Sequence, residues 1–181
     1  FTSGVSASML ASVGVQRVIV GHSERRKHFG DTDAIVNAKL KAVLAAGLNV
    51  ILCVGEQLAE REAGEYEQVI KTQLSAALDG VEGTSLERVT VAYEPVWAIG
   101  TGKTATPAQA SAVHQFIRGL VKTAGAPGIP ILYGGSVKPG NARELSEAPE
   151  IGGVLVGGAS LKAESFVDIV RGCQPSPDRS S

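Results

Sequence analysis

Short aliphatic runs alternate with helical stripes along this chain. The runs cover 17–20, 50–54, 89–93, 130–133 and 154–156. They are apolar almost throughout rather than alternating, the pattern of strands covered on both faces. Between them, Val36, Leu40, Val43 and Leu44 recur at helical spacing behind the candidate caps Asp31 and Thr32, and Gly47 stands where that helix should stop. Tyr66, Val69, Ile70, Leu74 and Leu78 make a second stripe, closed near Gly80. A third opens with Thr106 as cap and Pro107 in the first turn, and carries Val113, Phe116, Ile117, Leu120 and Val121. The spacing also predicts a leading helix over 6–13, ended by Gly14, and shorter helices near 141–145 and 163–170. Pro175 and Pro177 make 174–181 a frayed tail, leaving 1–173 as one domain.

Strands alternating with helices predict an α/β fold with a parallel sheet and right-handed crossovers. Five βα units follow the leading helix. An open doubly wound sheet and a closed (β/α)8 barrel both fit this periodicity.

Composition narrows the function classes. The chain has 181 residues, 44% hydrophobic and 19% charged, with a net charge of -1, so a sizeable core is available and no basic excess points to nucleic acid. No apolar run approaches the 18 residues of a membrane-spanning helix, and the start has no signal-peptide order. Phe1 in place of a Met suggests a chain that begins inside its gene. Cys53 and Cys173 fit neither a disulfide framework nor a zinc site, which suits a reducing cytoplasm.

In α/β folds function gathers where strands end. Gly134-Gly135-Ser136 and Gly157-Gly158 follow the last two runs, where backbone N–H groups ahead of a helix can hold phosphate. Glu94 closes the third run before Pro95, and His22 follows Gly21 after the first. Each has a plainer reading, a solvated carboxylate and a packed histidine. Converging over one sheet, they suggest proton transfer on a phosphorylated small molecule. Gly102-Lys103-Thr104 is not a P-loop ending, because Trp97 occupies the place of its first glycine. Arg25-Arg26-Lys27 reads as a solvated or ion-paired face, and His28 and His114 have no metal-ligand partners at useful spacing.

Four segments resemble triosephosphate isomerases: Val20-Gly21-His22-Ser23-Glu24-Arg25-Arg26, the run from Ala92 through Glu94 and Trp97 to Lys103, Tyr133-Gly134-Gly135-Ser136-Val137, and Val156-Gly157-Gly158-Ala159-Ser160-Leu161. They occur in the family's order, and the resemblance runs from Phe1 to about Val170. It implies a (β/α)8 barrel, of which this chain holds the last five βα units and a preceding helix. It further implies a homodimer, a small phosphorylated triose as substrate, no cofactor or metal, no nucleic-acid or membrane partner, and a place in glycolysis and gluconeogenesis. Glu94 matches the family's catalytic base and His22 its electrophile. Gly100, Ser136, Gly157 and Gly158 match the groups that grip the phosphate, Ser23 and Glu24 match supporting partners, and 95–104 matches a mobile lid.

The resemblance also marks what is not here. Such a barrel runs to about 250 residues, and the family's first three strands, with a substrate-binding lysine, have no counterpart in this sequence. Ser3 and Gly4 stand where the family's third loop carries Gly and Glu. Five strands of an eight-stranded wall leave open edges. Three alternatives therefore stand beside an active isomerase: an inactive fragment, a non-catalytic phosphate-binding or scaffold protein of the same descent, and another phosphate-binding barrel enzyme.

Overall fold

The computed structural model describes residues 4–99 and 104–174. The leading helix is α1 (Ala7–Ser12), capped by the Ser6 hydroxyl, which accepts from the Met9 N–H at 3.2 Å. Then follow β1 (Arg17–Val20), α2 (Ser23–Phe29), α3 (Asp33–Ala45), β2 (Asn49–Val54), α4 (Leu58–Glu62), α5 (Tyr66–Leu78), β3 (Val89–Tyr93), α6 (Pro107–Thr123), β4 (Ile131–Tyr133), α7 (Pro139–Glu147) and α8 (Ala163–Gly172). Thr32 caps α3, and Thr106 with Gln109 forms a reciprocal cap on α6. Gly47 follows α3 at φ 79°, the left-handed turn that the sequence position predicts.

The sheet is parallel, in the order β1-β2-β3-β4. Val20 pairs with Leu52, Leu52 with Val91, and Val91 with Ile131. A doubly wound sheet reverses its strand order at a switch point, whereas a barrel wall adds each strand beside the last. The order here is sequential, as in a barrel.

One expectation needs correction. The fifth run, 154–156, is not a strand: one parallel bridge joins Val154 to Tyr133. The glycines on both sides, with Gly153 at φ 151°, interrupt the ladder after that single pairing. Helix α2, which the hydrophobic spacing does not predict, begins at Ser23, directly behind His22. Its apolar content is too low for periodicity to reveal it. The short helix α4 escaped notice for the same reason.

Helices α3, α5 and α6 cover the sheet with their apolar stripes. Val36, Leu40, Ile70, Leu74, Ile117 and Val121 are buried against strand residues Leu52, Val91 and Ile131. Each such side chain contributes about 2 kcal/mol of transfer free energy. Both ends of the sheet leave apolar side chains exposed. Ile19 on β1 is 49% exposed, beside the exposed Val5, Met9 and Val13 around α1. At the other end Leu161, Phe166, Val167 and Val170 are exposed. No helix of the described residues is long and apolar enough to cross a membrane.

His114 belongs to the core. It is fully buried on α6, with Nδ1 3.1 Å from the Glu150 carbonyl oxygen and its ring edge-on to Tyr93 at 5.9 Å. Burial pulls its pKa down from 6.5 to about 4, the Glu150 contact offsetting part of that shift. The unfolded chain therefore binds a proton that the folded one refuses. Stability is retained above pH 6.5 and falls as pH drops from there towards 4. The expected loss from this group over that window is about 3 kcal/mol. Urea unfolding at both ends of the window should show His114→Gln losing less stability on acidification than the parent. Equal losses would remove His114 as the cause.

Candidate active site

Strand register delivers Glu94. Its N–H donates to the Val54 carbonyl at 2.8 Å, and the Gly134 N–H donates to the Tyr93 carbonyl at 2.7 Å. Ladder hydrogen bonds thus continue on both sides one residue beyond β3. The carboxylate is turned inward and is 2% exposed, so it is not a solvated charge. Oε1 lies 3.0 Å from His22 Nε2, and Oε2 accepts the Ser23 N–H at 2.9 Å. The residue at the end of β1 and the residue at the end of β3 meet as the sequence predicted.

His22 is the N-cap of α2, and its Nδ1 accepts the Glu24 N–H at 3.3 Å. A ring nitrogen that accepts carries no hydrogen, so the ring proton is on Nε2, facing Glu94. Glu24 acts here through its backbone, and its side chain is exposed. Burial raises the Glu94 pKa, while the His22 contact and the Ser23 N–H pull it back only in part. Burial also pushes the Cys53 thiol well up, and that thiol lies against the Glu94 carboxylate.

These groups open into a cavity of about 340 Å³ lined by Ile19, His22, Glu94, Ile99, 134–138 and 155–159. Added Cβ atoms on Gly157 and Gly158 would meet nothing within 4 Å, so their backbone faces free space. The N–H groups of Gly135, Ser136, Gly157 and Gly158 donate to no acceptor among the described residues. Free N–H groups around a recess suit an oxyanion. The Ser136 hydroxyl instead donates to the Ala98 carbonyl at 2.7 Å, tying the glycine turn to the short 3₁₀ turn at Val96–Ala98. Gly100, also expected at this site, lies outside the described residues, as do Lys103 and 175–181 of the tail.

Glu56 had no assigned role in the sequence, although it too follows a strand end and a glycine. It is fully buried, accepts from Trp97 Nε1 at 2.8 Å and from the Tyr93 hydroxyl at 3.0 Å, and lies 3.6 Å from Arg61. Burial raises its pKa against those partners. Its backbone carbonyl also accepts the Val96 N–H at 3.1 Å, so Glu56 holds the chain on both sides of Glu94. The run Arg25-Arg26-Lys27 is largely ion-paired: Arg25 with Asp31 at 3.4 Å and Arg26 with Asp33 at 2.6 Å. A larger recess of about 710 Å³ lies at the opposite end of β3 and β4 and holds none of these groups.

Gly55 sets the seat of Glu94. Both its backbone groups are held by the Gln73 side chain, at 2.8 and 3.1 Å. A Cβ at Gly55 would overlap the Glu94 backbone carbonyl, which cannot move without breaking the ladder. Gly55→Ala should therefore lower the thermal midpoint by roughly 10 °C or more, or prevent folding. A Gly55→Ala protein that melts with the parent would show that the strand ends are not packed this closely.

The comparisons with known proteins agree with this geometry. A family model described as triosephosphate isomerase matches residues 1–173. A triosephosphate isomerase of Thiobacillus denitrificans is 59% identical over 174 residues, covering 94% of this chain and 70% of the relative. One of Carboxydothermus hydrogenoformans is 56% identical over 176 residues, covering 95% and 70%. One of Trichlorobacter lovleyi is 55% identical over 175 residues, covering 94% and 70%. With a buried carboxylate against an Nε2–H imidazole, two glycine turns with free N–H groups and this similarity along nearly its whole length, the chain belongs to the triosephosphate isomerase family.

Proposed function

We propose that the chain interconverts dihydroxyacetone phosphate and glyceraldehyde 3-phosphate. The observation that carries this reading is the 3.0 Å contact between Glu94 Oε1 and His22 Nε2 inside a cavity that also holds the free glycine N–H groups. The substrate's phosphate sits against Gly157, Gly158 and the turn around Ser136, with Gly100 completing the grip. Its carbonyl and the adjacent carbon then lie between the two side chains. Glu94 takes a proton from that carbon while the Nε2–H of His22 donates to the carbonyl oxygen. The resulting enediol(ate) collapses when Glu94 returns the proton to the neighbouring carbon, His22 moving the hydroxyl proton between the oxygens. Ser23 positions the carboxylate through its N–H, and Glu24 fixes the imidazole tautomer through its own.

Burial raises the Glu94 pKa, which makes the carboxylate a stronger base once ionised. As pH falls through that raised value the base is protonated and turnover falls with it. In a coupled isomerase assay, Glu94→Gln should lower kcat about 10³-fold, the scale of a lost general base. Turnover equal to the parent would end the assignment of Glu94.

The chain further represents the last five βα units of an eight-unit barrel, the fifth strand reduced to the Val154 bridge. The exposed apolar residues at both ends of the sheet support this: Ile19, Met9 and Val13 at one, Leu161, Phe166 and Val170 at the other. So does coverage of about 70% of the relatives' lengths. A homodimer, a cytoplasmic setting and a single domain over 1–173 follow from the same family reading. Co-expression with a polypeptide carrying the first three βα units of a relative should raise turnover and reduce binding of a hydrophobic dye. No association between the two polypeptides would count against the five-unit reading.

A further inference from the structure

Resting on the isomerase reading, we infer that Lys138 binds the substrate's phosphate. A substrate carrying a phosphate dianion has to enter a cavity whose wall already holds the Glu94 carboxylate. Hydrogen-bond donors from the glycine turns orient the phosphate, but they bring no net charge to oppose that repulsion. Among the described residues that line the cavity, Lys138 is the one lysine or arginine. It stands directly after the Gly134–Val137 turn and ahead of α7, with its N–H anchored to Asn141 Oδ1 at 2.7 Å. Its ammonium forms no ion pair among the described residues, unlike Arg25, Arg26, Lys39, Arg61 and Arg118, each of which is held by a carboxylate. A long flexible stem at the cavity wall lets the charge meet the ligand early and follow it inward. Lys138 thus supplies attraction and affinity, while Glu94 and His22 carry the chemistry.

The test is binding of inorganic phosphate to the full chain, titrated by calorimetry at low and at high ionic strength. Lys138→Gln should weaken binding about five-fold at low salt, with a smaller difference at high salt, where screening removes the charge effect. Lys138→Arg should retain affinity near that of the parent. Lys122→Gln, which deletes an equal charge from the last turn of α6 outside the cavity, should leave affinity unchanged. Phosphate binding by Lys138→Gln equal to the parent, or an equal loss in Lys122→Gln, would overturn the role of Lys138 and leave the isomerase reading standing. A parent chain that binds no phosphate would overturn both.

Discussion

Everything at the candidate site depends on keeping one carboxylate dry. Glu94 sits at the end of a central strand, and burial there disfavours its charged form. Two donors offset part of that penalty, His22 Nε2–H and the Ser23 N–H. Both donors come from the junction of β1 and α2, so this contact ties the first strand to the third across β2. Parallel register makes the geometry repeatable, because neighbouring strands end at the same level and their next residues face one mouth.

A second buried carboxylate supports the first. Glu56, at the end of β2, accepts from Tyr93 immediately before Glu94 and from Trp97 three residues after it. The segment that follows the base is therefore held by side chain and backbone of the same residue, while Ser136 holds it from the glycine turn. Both Glu94 oxygens face donors, and Oε1 of Glu56 takes two, while the buried Oε2 of Glu56 has no partner among the described residues. The aliphatic shell of α3, α5 and α6 gives these polar contacts their strength by excluding water from behind them.

Much of this was legible in the chain itself. Four of the five strands, the caps at Thr32 and Thr106, and the three long helical stripes follow from local rules, since periodicity and capping depend on neighbours in sequence. His22, Glu94 and the two glycine turns were legible as residues at strand ends, and their pairing as an expectation. The weak fifth strand and helices α2 and α4 were not legible, because a single bridge or a short polar helix leaves no periodic signal. Sequence could not choose between a solvated and a buried Glu94 either, since burial depends on what the other strands bring.

Local chemistry thus determined the elements, their order and the residues available at each strand end. The tertiary structure alone decided that the strands add sequentially, that His22 Nε2 faces Glu94 Oε1, that Glu56 clamps Tyr93 and Trp97, and that Lys138 lines the cavity. Those are contacts between residues tens of positions apart. They exist only once parallel pairing has fixed the register between strands, and register is set by the packing of the whole sheet rather than by any one segment.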